Sequence, residues 1–385
     1  MKVLTITTDY LPKIGGISSH IYYLNRNLAR IGVEPHVLHI VENSTEDKYE
    51  ISFDEFHVHK LYISDNLIGM KKLKYRNVIK KILIEHFSDV DIIHTHELFN
   101  TEYLVDYSNY KWVWTNHTSR FNEFVNETGF KSRVKQIIER NQLKHADRVV
   151  CVSKFVENNT VSFFSRKKEV AVIPNGIELE RFDSIDRKYL NEYSRKLNLP
   201  KNKTVVLIVA RWFPVKGIHI AIDAMNILKE RYPSKFERLH FVFAGAGDSD
   251  VDYRKAQEKR ISEFRNYTML DLVTKEDMPF LYNCGDIVLI PSLYESAPVA
   301  LLEAMGSKRI VLAAKVGGLQ YNLKDGVTGF FFERANAVDL VEKLLNIESC
   351  DQIDAIRKHA FEEVCNKYTW DQVARQTKSI YDSVL

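Results

Sequence analysis

Residues 286–306 read DIVLIPSLYESAPVALLEAMG and predict a strand, a loop and a helix in close succession. The first five residues have the apolar character of a short buried strand, and Pro291 ends it. Pro298 stands where proline is favoured at a first helical position, which places Glu303 about a turn and a half into the helix. The first amides of such a helix lack intrahelical partners and attract negative charge. The stretch therefore predicts a site for an anionic ligand whose hydroxyl groups Glu295 and Glu303 can bind.

A second stretch, residues 205–225, repeats the same arrangement with the sequence VVLIVARWFPVKGIHIAIDAM. Arg211 and Lys216 lie between a predicted strand and a helix that opens near Gly217. Open α/β sheets bind ligands at this edge, outside the carboxyl ends of their strands. An Arg fork and a Lys point charge can neutralise a diphosphate group without a metal ion. The two stretches together predict a nucleotide-sugar site.

Short apolar strands alternate with helix-period stretches twice along the 385 residues, a length that exceeds a single ordinary core. This repetition predicts an α/β protein with two doubly wound domains. The predicted domains are residues 1–174 and 203–367, with a linker at 175–202 and a closing helix at 368–385. The predicted strands are residues 3–7, 35–41, 56–63, 91–94, 112–115, 148–152, 170–173, 205–210, 239–244, 266–269, 286–290 and 310–314.

The chain resembles family 4 of the retaining nucleotide-sugar glycosyltransferases. The resemblance is carried by Arg211, Lys216, the Glu295-x7-Glu303 pair, the PNGIE run that starts at Pro174, and a Gly-Gly pair at residues 15 and 16. It implies the GT-B fold, in which two Rossmann-like domains face each other across a cleft and the closing helix packs back on the first domain. It also implies transfer of a hexose or N-acetylhexosamine from a nucleoside-diphosphate sugar to an acceptor hydroxyl, without a metal ion. UDP-sugar is the expected donor, with GDP- and ADP-sugars as alternatives.

The resemblance assigns a role to each candidate site residue. Charge on the leaving diphosphate would be stabilised by two cations, Arg211 and Lys216, and sugar hydroxyls would contact Glu295. His117 would face the transferred sugar and His96 would line the acceptor cleft. Donor binding would fall to the residues Gly15, Gly16, Pro298, Val299, Ala300 and Glu303, with Glu303 on the ribose hydroxyls.

Two other classes of function stay open at this point. One is a nucleotide-sugar epimerase of similar two-domain architecture, which would need no acceptor. The other is a noncatalytic partner that binds a glycan or protein beside a sister transferase. The intact set of donor ligands argues against the second, but an altered loop after Glu303 keeps it open: the usual A-x-G-x-P run is replaced at residues 306–310 by GSKRI. A further departure from the family pattern is Tyr321, which stands where Glu is common.

The composition of the chain bears on its expected binding partners and on its cellular location. With 54 Lys plus Arg against 51 Asp plus Glu, the net charge of +3 gives no support to a nucleic-acid partner, and we expect none. The four cysteines show no metal or redox spacing, which favours reduced thiols in the cytoplasm. The expected acceptor is a glycan, a glycolipid or a protein.

Two further sequence patterns raise the questions of membrane binding and of metal binding. Residues 70–87 form a basic amphipathic stretch that could bring the protein to the inner face of an anionic membrane, although a solvated helix with its apolar stripe in the core is the commoner explanation of such a pattern. The His57-x-His59 and His94-x-His96 pairs each place two imidazoles on one face of a strand. No third ligand follows at a recognisable spacing, so we predict no metal site.

Overall fold

The computed structural model describes residues 1–13, 15–65, 71–96, 110–117, 145–161, 169–245 and 249–385. It divides into two compact units. The first unit comprises Met1–Gly176 together with Trp370–Leu385, and the second comprises Ile177–Thr369. The C-terminal segment therefore belongs to the first unit. Met70, the first residue of the predicted basic helix, lies outside the described residues.

The first unit is built on an 8-stranded sheet with the order β3-β4-β2-β1-β5-β6-β7-β8. All neighbouring pairs in it are parallel except β3 and β4, which are antiparallel. The strands are β1 (Lys2–Thr7), β2 (Glu34–Val41), β3 (Lys48–Asp54), β4 (Phe56–Tyr62), β5 (Ile92–Thr95), β6 (Lys111–Asn116), β7 (Arg148–Cys151) and β8 (Val170–Val172). The described helices of this unit are α1 (Gly16–Arg30), α2 (Lys71–His86), α3 (Lys154–Val161) and, at the end of the chain, α14 (Trp370–Asp382).

Helices cover both faces of this sheet. On one face, Leu24 and Leu28 of α1 and Val373 of α14 pack in one core with Val3 of β1. On the other face, the next residue of β1, Leu4, packs with the buried side chains of α2. This alternation along β1 is that of a strand buried on both sides, as expected for a doubly wound unit.

The predicted basic helix is α2, and its apolar stripe is used inside the protein. Ile79, Ile82 and Leu83 are buried in the core beneath the helix. The outward face carries Arg76, Lys80 and Lys81, which are exposed. Two apolar side chains of the helix, Val78 and Ile84, are exposed as well. The buried residues of the stripe are not available to insert into a membrane.

The second unit contains a 6-stranded sheet with the order β11-β10-β9-β12-β13-β14, and every pair in it is parallel. Its strands are β9 (Thr204–Val209), β10 (Leu239–Ala244), β11 (Tyr267–Leu270), β12 (Ile287–Ile290), β13 (Ile310–Ala314) and β14 (Phe330–Phe332). Its described helices are α4 (Leu179–Asp183), α5 (Arg187–Lys196), α6 (Ile218–Arg231), α7 (Pro233–Phe236), α8 (Val251–Ile261), α9 (Met278–Cys284), α10 (Val299–Gly306), α11 (Leu319–Asn322), α12 (Ala337–Glu348) and α13 (Ile353–Lys367). The strand order reverses between β9 and β12, and such a switch point is where doubly wound sheets bind ligands.

The segment predicted as a linker, residues 175–202, is mostly part of this second unit. It contains α4 and α5, and Phe182 and Leu199 are buried in the unit's core. Its polar sequence comes from the solvent face of α5, which buries no residue fully. A helix that packs by one narrow stripe resembles a linker in composition.

Candidate active site

A cavity of about 110 Å³ lies at the switch point of the second unit, where β9 and β12 end. Its volume is well below the ~300–1,000 Å³ of pockets that enclose a drug-sized ligand. It can therefore hold one part of a nucleotide sugar, such as a phosphate or the sugar ring. The lining residues are Val209, Ala210, Lys216, Leu289, Ile290, Pro291, Ser292, Glu295, Pro298, Val299 and Ala300.

An ion pair between Lys216 and Glu295 forms the polar part of this cavity. The Lys216 Nζ atom lies 2.6 Å from Glu295 Oε1, and Ser292 Oγ donates to the same oxygen over 2.7 Å. The side chains of Lys216 and Glu295 are 24% and 10% exposed. Because Ser292 and Lys216 share one carboxylate oxygen, the carboxylate is held in one orientation and Oε2 is left to accept a ligand hydroxyl.

The backbone before Lys216 fixes the lysine at the cavity. Pro214–Lys216 forms a 3-10 turn, and Gly217 follows it in the left-handed region with a φ of 66°. A Cβ atom at Gly217 would lie 1.9 Å from the carbonyl oxygen of Pro291. Glycine is therefore required here both by the backbone angle and by the close approach of the β12 loop.

A second pair of glycines, at residues 317 and 318, holds the loop that carries Glu295. The Gly318 amide donates to the Glu295 carbonyl over 2.8 Å. Cβ atoms at Gly317 and Gly318 would each lie 2.0 Å from a backbone oxygen, of Glu295 and Ser296 respectively. The loop can lie this close to the turn only because neither residue has a side chain.

Helix α10 presents its amino terminus to the cavity. Pro298 is the N-cap residue, with φ −71° and ψ 120°, and not the first helical residue as predicted. Proline offers no side-chain acceptor, so no side chain caps the first turn. The amides of Val299 and Ala300 at this end are among those that have no intrahelical partner. They and the helix dipole favour an anion in the cavity.

Glu303 does not line the cavity, although it follows Glu295 by only eight residues. It lies on α10 among the side chains of Tyr282, Arg181 and Lys275. Burial raises the pKa of its carboxyl, while Tyr282 and then the two cations act against that rise. Burial, together with the charge of Glu303, raises the pKa of the Tyr282 phenol well above its usual value. The two glutamates therefore form two adjacent polar sites.

The raised pKa of Glu303 makes this carboxylate a cost to stability at neutral pH. An acid whose pKa is higher in the folded state loses folding stability as the pH rises from the unfolded-state pKa to the folded-state pKa. We expect Glu303→Gln to unfold at a higher temperature than the wild type at neutral pH, because the variant has no carboxylate to bury. The difference should shrink as the solution is acidified through that window, since wild-type Glu303 is then neutral in both states. Calorimetry across this pH range tests the expectation, and a variant less stable at neutral pH would contradict it.

Arg211 stands apart from the other predicted cation. Its side chain is exposed, and its guanidinium carbon lies 5.2 Å from the centre of the Phe213 ring. It is not among the lining residues of the cavity. The sequence placed Arg211 and Lys216 on one loop, but the intervening turn directs only Lys216 to Glu295.

In the first unit, His96 and His117 follow the neighbouring strands β5 and β6. His96 Nδ1 and His117 Nε2 are 3.1 Å apart. Gly15 and Gly16 open α1; a Cβ at Gly16 would meet nothing within 4 Å, and one at Gly15 would meet ordinary contacts only. Within the described part of the chain, no close contact requires glycine at these two positions, and the described residues leave space beside them for another group.

Sequence reasoning missed His20, which lies beside both of these histidines. Its ring centre is 4.7 Å from that of His117 and 5.2 Å from that of His96. Its Nδ1 is 3.0 Å from Asn175 Oδ1. The only signal for His20 in the sequence is its place one turn into α1, four residues after Gly16. Asn175 belongs to the PNGIE run.

The altered loop after Glu303 keeps a left-handed turn. Lys308 stands at the position of the customary glycine and has a φ of 56°. The turn is held by bonds from the Lys308 and Arg309 amides to the carbonyls of Met305 and Ala304. The Lys308 side chain pairs with Asp183 and lies 4.3 Å from the ring centre of Phe361. These contacts offset the cost of about 1–2 kcal/mol that a side chain incurs in this backbone region.

Two family models match the chain and together span most of it. Residues 14–181 match Glycosyltransferase Family 4, and residues 191–363 match Glycosyl transferases group 1. This chain belongs to the family 4 glycosyltransferases. Among related proteins, an uncharacterized glycosyltransferase of Methanocaldococcus jannaschii is 26% identical, over 99% of this chain and 98% of its own. The D-inositol 3-phosphate glycosyltransferase of Corynebacterium urealyticum is also 26% identical, over 78% of this chain and 73% of its own.

Solved structures confirm the GT-B fold. Sucrose-phosphate synthase from Thermosynechococcus elongatus matches with a TM-score of 0.80 at 20% identity, over 100% of this glycosyltransferase and 98% of the other chain. HepE from Anabaena, solved in complex with UDP and glucose, matches with a TM-score of 0.78 at 18% identity over 100% of both chains. Of the helices that the structure describes, none is long and apolar enough to cross a membrane.

Proposed function

We propose that this glycosyltransferase moves a hexose or an N-acetylhexosamine from a nucleoside-diphosphate sugar to an acceptor hydroxyl, with retention of configuration and without a metal ion. The observation that carries the proposal is the cavity at the β9–β12 switch point. It combines a cation at Lys216, an uncapped helix terminus at Val299 and Ala300, and an oriented carboxylate at Glu295.

The charges of the cavity fit the departure of a diphosphate. Negative charge grows on the leaving group as the bond to the sugar breaks, and catalysis requires donors that stabilise this charge more in the transition state than in the ground state. Lys216 and the first amides of α10 are already in place for this, so little reorganisation is needed. We propose that Arg211, which is exposed here, adds its fork once the diphosphate is bound.

We propose that the two glutamates bind different hydroxyl groups of the donor. Glu295 keeps one carboxylate oxygen for sugar hydroxyls, because Lys216 and Ser292 share the other. Glu303 lies farther along α10 with Arg181 and Lys275 near it, and we assign it to the ribose hydroxyls. Glu295 is engaged with a cation and a hydroxyl donor, which fits a binding residue better than a nucleophile. Retention would then come from attack on the same face of the sugar as the leaving group, with the phosphate taking the acceptor proton.

The first unit is proposed to serve the sugar and the acceptor. Burial lowers the pKa of His117 well below its usual value, so this imidazole is neutral at pH 7 and can exchange hydrogen bonds with hydroxyl groups. We assign His117 to the sugar, His96 to the acceptor, and the open space at Gly15 and Gly16 to the donor phosphates. The acceptor class is a glycan, a glycolipid or a protein.

For the location, we propose the cytoplasm, which is supported by four cysteines that form no disulfide with one another. Binding to the inner face of an anionic membrane would depend on the exposed charges of α2, namely Arg76, Lys80 and Lys81. Such attraction is weakened by salt.

A turnover assay tests the function. The protein is incubated with UDP-, GDP- and ADP-sugars in the presence of a chelator, with and without pooled polyol, glycolipid and peptide acceptors, and nucleotide release and sugar products are followed. We expect one nucleotide class to be released, acceptor-dependent product with the donor's anomeric configuration, and no loss of rate with the chelator. Conversion of the donor sugar without an acceptor would identify an epimerase instead. A lack of turnover with every donor would favour the noncatalytic partner.

A further inference from the structure

Three histidines of the first unit come together although they are distant in sequence. His20, His96 and His117 each offer one ring nitrogen, and these nitrogens all lie within 4.8 Å of one another. They come from α1 and from the ends of β5 and β6. Of the His94-x-His96 pair, only His96 belongs to this group. The two ring nitrogens of His94 are instead hydrogen-bonded to Tyr381 and Thr115.

The protonation of the group suits a metal ion. Burial lowers the pKa of His20 to about 4, and burial with the charges of neighbouring histidines lowers the pKa values of His96 and His117 well below the usual range. All three imidazoles are therefore neutral at pH 7, each with a lone pair to donate. Neutral imidazole is a preferred ligand of Zn²⁺, Cu²⁺, Ni²⁺ and similar ions.

The orientation of His20 is fixed by an outer contact of the type found around metal ligands. Its Nδ1 lies 3.0 Å from Asn175 Oδ1, which can only accept, so Nδ1 carries the proton. The lone pair of His20 is consequently on Nε2. Metal-bound histidines almost always donate their second N–H in this way, and this contact sets both tautomer and ring direction.

His96 supplies an independent sign that a group is missing. It is 3% exposed, and its Nε2 atom has no hydrogen-bond partner within the described part of the chain. Its Nδ1 faces His117 Nε2 at 3.1 Å, where only one of the two nitrogens can hold the proton. Whichever holds it, a buried polar atom of His96 stays unsatisfied, which normally costs free energy.

We propose that His20, His96 and His117 bind a divalent transition-metal ion of the Zn²⁺ class. The ion is a ligand that competes with substrate and not a cofactor of transfer. Occupation of the site uses the His117 nitrogen that we assign to the transferred sugar, so the bound ion inhibits the enzyme. This second consequence rests on the proposed function, whereas the binding itself does not.

Cobalt binding tests the site without any assay of activity. The full chain, stripped with a chelator, is titrated with Co²⁺ near neutral pH, and the visible absorption of protein-bound cobalt is followed. We expect saturation at one equivalent, displacement by Zn²⁺, and loss of the signal in His20→Asn and in His117→Asn. Asn175→Ala should weaken binding about 10–100-fold, as removal of an outer-shell partner does. His117→Cys should restore the site and add a sulfur-to-cobalt charge-transfer band, which a merely structural effect of residue 117 would not produce.

A second histidine cluster of the chain gives the matched control. His36, His57, His59 and His86 lie together near β2 and β4, and His57 is exposed. His57→Asn should keep the one-equivalent cobalt signal. The proposal is overturned if the wild type binds no Co²⁺ or Zn²⁺, or if the signal disappears in His57→Asn and persists in His117→Asn.

The inhibition is measured separately by nucleotide release with increasing Zn²⁺. We expect inhibition of the wild type that the chelator reverses, and resistance in His20→Asn. Cobalt binding without zinc inhibition would support the site and overturn the sugar contact assigned to His117. The failure of one proposal is therefore distinguishable from the failure of the other.

Discussion

Replacement of Lys216 by alanine is expected to lower kcat by about 10²–10³, the usual loss for one preorganised donor at a developing negative charge. Lys216 is the cation of the switch-point cavity, and its ammonium group lies 2.6 Å from Glu295. Its removal leaves the leaving group with the α10 amides and Arg211 only, and it leaves Glu295 free to turn away from the sugar. Steady-state kinetics with the accepted donor measure the effect.

Lys235 provides the matched control for this variant. Its ammonium group lies 2.7 Å from Glu348, whose side chain is 12% exposed, so Lys235→Ala also leaves a largely buried carboxylate without its cation. This pair does not line the cavity. We expect Lys235→Ala to reduce thermal stability and to leave kcat within about twofold of wild type, as for a residue remote from the chemistry. Equal kcat values for the two variants would refute the assigned role of Lys216.

Replacement of Gly317 by alanine is expected to damage stability and activity together. The residue has a φ of 46°, and its Cβ would lie 2.0 Å from the carbonyl oxygen of Glu295. Strain in the left-handed region and overpacking should add to a loss of roughly 2–5 kcal/mol in the free energy of unfolding. The Glu295 loop must also move, and a displacement of about 1 Å at a catalytic group can reduce the rate about 10²-fold.

Gly326→Ala separates the two parts of this effect. Gly326 has a φ of 69°, but a Cβ there would meet nothing within 4 Å. The Gly326→Ala variant should lose only the contribution of backbone strain, about 1–2 kcal/mol in the free energy of unfolding, and its kcat should be unchanged. Denaturant unfolding and kinetics on both variants make the comparison. If Gly317→Ala behaved like Gly326→Ala in both, the close approach to the Glu295 loop would have no energetic weight.

The sequence was most informative where local pattern and tertiary role agree. Every strand predicted from an apolar run exists, within two residues at each end, because buried parallel strands need continuous apolar sequence. Two strands were missed for opposite reasons. β3 is an exposed strand whose Ile51 and Phe53 face solvent, and β14 is only three residues long. Neither produces the signal of a buried strand.

The site was predictable as a set of residues but not as a geometry. The spacing of Glu295 and Glu303 placed both near the start of α10, but Glu295 lies in the loop before the helix and lines the cavity, whereas Glu303 lies in the second turn of the helix and does not. The partners of Glu303, Arg181 and Lys275, lie on segments more than ninety residues apart, and no local pattern links them. His20 was missed for the same reason.

The structure shows what the departures from the family pattern do to the backbone and to the site. The loss of the customary glycine at Lys308 suggested an altered loop, but the backbone there keeps the left-handed angle that glycine adopts readily. Compensation comes from Asp183 and Phe361, which are distant in sequence. Tyr321 lies on α11 with 47% exposure. These changes affect the surroundings of the site and leave the Lys216–Glu295 pair intact.

The most direct test of the account is thermal unfolding of the wild type and Glu303→Ala with millimolar UDP, GDP or ADP. A nucleotide at 100 times its Kd adds about 2.7 kcal/mol to the stability of the protein that binds it. We predict that one of the three raises the unfolding temperature of the wild type and that the rise is lost in Glu303→Ala. No rise with any nucleotide, or an equal rise in the variant, would contradict the assignment of the donor site to Glu303, the α10 terminus and the loop that carries Glu295.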